Sequence, residues 1–325
     1  MILISLALAG YGDPVGGFPS DAERALVLWT NAARVDPGAY TGDYREGGCG
    51  LDDFSADEKR AKAPLYIDVA LTEAARYHSD DMRKNGCFQH DSCDGTDTWV
   101  RIDRYYDDAN AGLGENIAYG STDARYMVMS MWMCSESGHR ANIMSGDFNE
   151  MGGGVSKDYM TQDFASGELT EGAPPVRVAA EYDGIVFADW GHDSAPASLA
   201  LWVDGESTPM DAQYGSPEQG IYGATLSAEA CAPWAVTWET RDGESGVFPA
   251  TGAFLADGCD TEYDASVIVA VTDDDGPGDG STNSGVFEVE SVEVVCGTVP
   301  GTSVAGVVAG LLLARRRRRV GRSGR

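Results

Sequence analysis

The chain reads as an α+β protein, with helices and a few strands in its first part and an all-β sandwich in its last. Three observations predict this. Apolar residues recur at helical spacing after Ser20, after Asp68 and after Ser121. Strand-like runs follow from Met151 to Trp190, and beyond Pro196 the texture changes to short apolar runs separated by Gly, Pro and Asp clusters. At 325 residues the chain exceeds what one compact core needs, which implies two domains plus processing segments.

The elements follow in order. Residues 1–9 form a short apolar run ending in Ala7-Leu8-Ala9, which reads as an incomplete export signal, and Gly- and Pro-rich residues 10–19 read as a linker. Ser20-Asp21-Ala22-Glu23 is a capping box, after which Ala25, Leu28, Trp29, Ala32 and Val35 lie on one helical face until Asp36-Pro37-Gly38 stops the helix. Residues 41–63 read as loop or short helix. Asp68 caps a second helix with Leu71, Ala74, Ala75, His78 and Met82 on its apolar face, and Asn85-Gly86 supplies a left-handed stop. On that face His78 reads as a hydrogen-bonded core residue. Thr98 to Ile102 opens a short third helix, and Gly114 to Tyr119 enters a strand or helix edge. Ser121 or Thr122 caps a fourth helix whose apolar face is Ala124, Val128, Met131 and Trp132. Ser135 continues this face, and Glu136 is turned about 100° from it.

Met151 to Ser156, Val176 to Tyr182 and Ile185 to Trp190 read as strands, with 157–175 as a loop. Later strands are expected at Leu199 to Val203, Ile221 to Leu226, Trp234 to Thr240, Val267 to Val271 and Val286 to Glu290. Several short strands with turn signals argue for a β-sandwich over 197–297.

The formal net charge is −29, although the tail from Arg315 onward is arginine-rich, so the rest of the chain is more acidic still. Such a body repels nucleic acid and anionic headgroups. Seven cysteines point to an oxidising compartment. Cys87 and Cys93 are near neighbours, Cys231 and Cys259 flank the middle strands of the second domain, and Cys49 and Cys134 remain for the first; the sequence leaves the connectivity open. Cys296 is left over. It reads as the processing or attachment residue of the tail, with a free or intermolecular cysteine as the alternative. Residues 298–325 pair an apolar run with Arg315 to Arg319. The twelve residues Ser303 to Ala314 span only about 18 Å as a helix, short of a roughly 30 Å hydrocarbon core. The layout resembles the C-terminal sorting tags of exported bacterial proteins, which would place the body outside and make the tail the chain's sole membrane contact.

Two of the four histidines, His90 and His139, fall between Gly86 and Gly154. Across this stretch, Ala74 to Met82 is followed by Phe88-Gln89-His90, Gly114-Glu115-Asn116-Ile117-Ala118, Trp132 and Gly138-His139-Arg140-Ala141-Asn142-Ile143-Met144. In order and spacing these motifs resemble the CAP superfamily, which comprises the cysteine-rich secretory proteins, antigen 5, pathogenesis-related proteins and their bacterial relatives. The resemblance covers residues 20–192. It implies an α-β-α sandwich, an antiparallel sheet with helices on both sides, and a cleft in which His90, Glu115 and His139 match the family's histidines and acid. Ser135 stands where many eukaryotic members carry a second glutamate, and Glu136 is one position off. Asn116 and Arg140 complete the expected cleft.

Two imidazoles and a carboxylate would suit zinc or another divalent cation, and a buried hydrogen-bond network is the competing role for the same three residues. No Gly-x-Ser-x-Gly elbow, Walker loop or dinucleotide fingerprint is present. The leading expectation is therefore an exported, non-enzymatic binding protein for an apolar, peptide or cell-envelope ligand. The alternatives are a zinc-dependent hydrolase with Glu115 as its catalytic residue, and a surface adhesion module acting through the β-sandwich.

Overall fold

The computed structural model describes residues 19–39, 49–108, 110–167, 173–256 and 258–269. The export segment 1–9, nearly all of the linker, Cys296, the strand expected at Val286 to Glu290 and the tail 298–325 lie outside the described residues.

Helix α1 (Asp21–Val35) begins at the capping box read from the sequence: Ser20 Oγ accepts from Glu23 N, and Glu23 Oε2 accepts from Ser20 N at 2.8 Å. Helix α2 (Val69–Asn85) is capped by Asp68 and ends at Gly86, whose φ of 67° is left-handed backbone. Helix α3 (Thr98–Ile102) is capped by Asp97. The short helix α4 (Ala124–Tyr126) is capped by Asp123, where Ser121 or Thr122 was expected, because the Asp123 carboxylate reaches Tyr126 N. It runs into a π-type turn, Met127–Trp132, closed by Met133 N donating to Val128 O at 2.9 Å. The extra residue in this turn rotates the face, so Met131 is exposed while Met127, Val128, Met129 and Trp132 are buried. The helix stops there, and Ser135 and Glu136 fall in the turn before helix α5 (His139–Ile143).

Among the described residues the strands form three sheets. The first has the order β1 (Tyr66–Ile67), β3 (Glu150–Ser156), β4 (Tyr159–Ala165), β2 (Leu113–Tyr119). It is antiparallel except for the parallel β1–β3 pair. Strand β4 corrects the loop expected over 157–175. Its central residues Thr161, Gln162 and Asp163 are fully buried polar groups, which masked the hydrophobic alternation. Two of them bond the flanking helices: Gln162 Nε2 donates to Thr30 Oγ1 at 2.6 Å, and Ser79 and Thr161 hydroxyls lie 2.9 Å apart. Side chains alternate across a strand, so Gly152, Gly154, Thr161, Asp163 and Glu115 share the face under α2, whereas Met151, Gly153, Gln162 and Asn116 share the face over α1.

The second sheet has the order β5 (Ala179–Tyr182), β6 (Ile185–Gly191), β10 (Gln219–Thr225), β9 (Asp211–Gly215). The third runs β14 (Tyr263–Asp264), β13 (Ala253–Leu255), β11 (Pro233–Glu239), β7 (Ser198–Val203), β8 (Glu206–Pro209), with β12 (Ser245–Phe248) also on β11. Val267 to Val269 form no strand, and Ile268 is 82% exposed. One face of the second sheet, through Ala180, Phe187 and Ile221, joins the core around Trp29 of α1. Its other face, through Val186, Ala188, Trp190 and Tyr222, packs on Leu201, Trp234, Val236 and Phe254 of the third sheet. The fold is thus α+β, with an α-β-α sandwich followed by a β-sandwich. The sequence separated these at 192–197, yet β6 pairs with β10 along its whole length, and the described residues fall in one compact unit.

Candidate functional site

Edge strand β2 supplies the acid. Glu115 is almost fully buried, and both of its oxygens are engaged: Oε1 lies 2.7 Å from His90 Nδ1, and Oε2 accepts from Arg101 Nη2. Arg101 reaches this point because α3 turns Thr98, Arg101 and Ile102 inward, and its Nη1 donates to the His90 carbonyl at 2.7 Å. One guanidinium therefore fixes both the carboxylate and the backbone of the loop that carries His90. The His90 side chain remains 56% exposed. With Nδ1 turned to Glu115, Nε2 is the nitrogen open to a ligand. The hydrogen bond to Glu115 raises the His90 pKa above the ordinary imidazole value, against the opposing effect of burial.

His139 begins α5 on the other side of β2, where its carbonyl accepts from Asn116 Nδ2 at 3.2 Å. Burial lowers its pKa, and the proximity of His90 lowers it further. His90 thus meets β2 through its ring on the face that carries Glu115, and His139 meets it through its backbone carbonyl on the face that carries Asn116. Among the described residues, the group of His, Cys, Asp and Glu whose donor atoms lie within 4.8 Å of one another is Asp81, Cys87 and Cys93; His90, Glu115 and His139 do not close to that distance. Cys87 and Cys93 are joined in a disulfide, so their sulfurs are not metal donors.

The remaining cleft residues separate. Asn116 is fully buried and bonds Gln162 Oε1 at 2.9 Å and Asn142 Nδ2 at 2.9 Å, which ties β2 to β4 and α5. Arg140 is also buried; it donates to Glu58, the Met133 carbonyl and the Asp53 carbonyl and lies over the Phe54 ring. It pins the 53–58 segment and does not line the cleft. Ser135 accepts from Ser137 N, and Glu136 is exposed. The cysteines pair Cys49–Cys134, Cys87–Cys93 and Cys231–Cys259.

Sequence reasoning missed two residues behind Glu115. Arg101 was legible in principle, as a cation at the inward position between Thr98 and Ile102 on a short helix. Asp163 is the cross-strand partner of Glu115, is fully buried, and has no hydrogen-bond partner for either oxygen. Burial and the neighbouring Glu115 push its pKa well up from the ordinary carboxylate value. His78 is buried and its Nε2 lies 3.0 Å from the Gln89 carbonyl, the core role read from its position.

A fold of helices on both sides of a mainly antiparallel sheet, with a His90–Glu115 hydrogen bond at its edge strand, defines a class. Residues 29–168 match the family model described as the Cysteine-rich secretory protein family, CAP, and this chain carries a CAP domain there. Two Bacillus subtilis (strain 168) proteins are similar over part of this chain. One, named uncharacterized membrane protein YlbC, is 36% identical over 106 residues; the other, named uncharacterized protein YkwD, is 34% identical over 109 residues. Each match takes in 33% of this chain, and they cover 30% and 41% of the relatives' lengths. Among solved structures, an extracellular protein containing an SCP domain from Bacillus anthracis str. Ames is 33% identical, with 32% of this chain and 34% of that one covered and a TM-score of 0.30. An outer surface protein from Borrelia burgdorferi is 24% identical, covering 32% and 78%, with a TM-score of 0.29. No helix among the described residues is long and apolar enough to cross a membrane.

Proposed function

We propose that this chain is an exported, non-enzymatic binding protein whose CAP cleft takes a divalent cation at His90 and His139 together with an apolar, peptide or cell-envelope ligand. The observation that supports this reading is the hydrogen bond between Glu115 and His90 Nδ1, which aims the ring and leaves Nε2 for a ligand. Carboxylates behind metal-binding histidines act in this way, fixing the tautomer and raising basicity. The residues fit zinc in this form: two imidazoles as donors, with Glu115 as the orienting group instead of a third donor. A bound ion would supply a positive centre for an anionic or carbonyl group of the ligand. Arg101 weighs against the hydrolase reading, since it occupies one Glu115 oxygen while His90 occupies the other, so that neither is left to face a substrate water.

Calorimetric titration with zinc tests the proposal. The wild type should bind, His90→Ala and His139→Ala should each lose tight binding, and Glu115→Gln should weaken it roughly 10- to 100-fold. Absence of heat from the wild type removes the cation from the reading.

A further inference from the structure

At the far end of β2 from Glu115, three aromatic rings cluster, two of them exposed and Tyr159 half-buried. Tyr119 is 55% and Phe88 47% exposed. The Phe88 ring meets Tyr119 edge-on, with centroids 4.8 Å apart, and Tyr119 lies nearly parallel to Tyr159 at 5.6 Å and 21°. Tyr119 and Tyr159 are cross-strand partners where β2 and β4 end. The 88–90 loop runs beside β2, so that Phe88 meets Tyr119 while His90 meets Glu115. Glu115 and Tyr119 project from the same face of the strand, about 13 Å apart along it. The rings and the histidine cleft are therefore two ends of one exposed track.

The chemistry of the track narrows what covers it. A lipid tail or a protein core would match an unbroken apolar surface, whereas here two rings carry hydroxyls and the exposed Gln89 and His90 follow directly. A ligand with an apolar C–H face and a rim of hydroxyls fits this pattern, and that is the surface of a pyranose ring, whose C–H bonds meet the electron-rich face of an aromatic side chain. The acid excess of the chain disfavours polyanionic glycans and leaves neutral ones. We propose that Phe88, Tyr119 and Tyr159 form a stacking subsite for the neutral pyranose rings of an envelope glycan, continuous with the His90 cleft. This rests on the cleft being a ligand site and names the chemical class of that ligand.

The test is titration of the full chain with a soluble N-acetylglucosamine tetramer, followed by NMR line shifts. Saturable binding is expected for the wild type, about tenfold weaker binding for Tyr119→Ala and for Phe88→Ala, and near-wild-type binding for Tyr119→Phe, which keeps the ring. A sulfated polysaccharide of similar length should not bind. The proposal is overturned if the wild type does not saturate, if both alanine variants bind as well as the wild type, if Tyr119→Phe is as weak as Tyr119→Ala, or if the sulfated chain binds as well as the neutral one. Zinc titration of the same proteins separates this from the cation site. Zinc binding without tetramer binding overturns the subsite alone, and tetramer binding without zinc binding overturns the cation alone. An unchanged zinc isotherm in Tyr119→Ala shows that the variant is folded.

Discussion

Arg101 carries more of the site than its histidines do. Its guanidinium is fully buried and neutralises a buried Glu115 that has Asp163 as a cross-strand neighbour. Removing one partner of such a pair leaves an uncompensated buried charge, so Arg101→Met should destabilise the fold by roughly 3–5 kcal/mol in urea unfolding. A loss below about 1 kcal/mol would mean that Glu115 simply takes up a proton. Asp189 offers a second test at this scale. Its oxygens accept from Arg177 N at 2.8 Å, Val178 N at 2.9 Å and Asn31 Nδ2 at 2.8 Å, yet burial pushes its pKa up to about 6 against those contacts and Arg177. A carboxyl with a folded pKa above its unfolded value gains a proton on folding. Its contribution is therefore fully present below about pH 4 and is lost as pH rises through about 6, a change on the order of 3 kcal/mol. Stability measured at pH 4.5 and pH 7 should show this slope in the wild type, and Asp189→Asn should flatten it; an equal slope in the variant would rule Asp189 out as its source.

Among the elements, β3 shows why α2 sits where it does. A Cβ on Gly152 would stand 2.1 Å from the backbone of Leu71 and Thr72, and one on Gly154 would stand 2.1 Å from the backbone of Ala75. Neither neighbour can yield without moving the helix, so Gly154→Ala should cost several kcal/mol, against little effect for Gly50→Ala, where a Cβ meets nothing. Thermal unfolding of the two variants compares them directly. These elements also show how far a sequence can be read. Helices α1 and α2 were legible because caps, stops and apolar faces all agree. Strand β4 was not, because its central buried positions, Thr161, Gln162 and Asp163, are polar and break the apolar alternation. The same cause hid Asp163 and the structural role of Arg140. The motifs named His90 and Glu115, but their 2.7 Å contact could not be read from them, since it depends on a loop laid beside an edge strand.

For the whole molecule, the decisive feature is the second sheet, which serves the helical core on one face and the β-sandwich on the other. The sequence placed a boundary at 192–197 because texture changes there; hydrogen bonding ignores that change. A chain cut after residue 196 loses β9 and β10, leaves β6 with an open edge and bares the face that carries Trp190. Such a truncation should be poorly soluble or should unfold with a much lower midpoint than the full chain, as read by circular dichroism and gel filtration. A soluble, cooperatively folding fragment of residues 1–196 would show that the first half stands alone.

The β6–β10 pairing, continuous from Gln219 opposite Gly191 to Thr225 opposite Ile185, also bears on mechanics. Strands pulled along their own direction part only when their cross-links fail together, whereas strands peeled from one end unzip one link at a time. A load entering through the C-terminal half and resisted by the helical half would meet this seam, and the angle of pull relative to β6 would decide whether the joint behaves as a rivet row or as a zip.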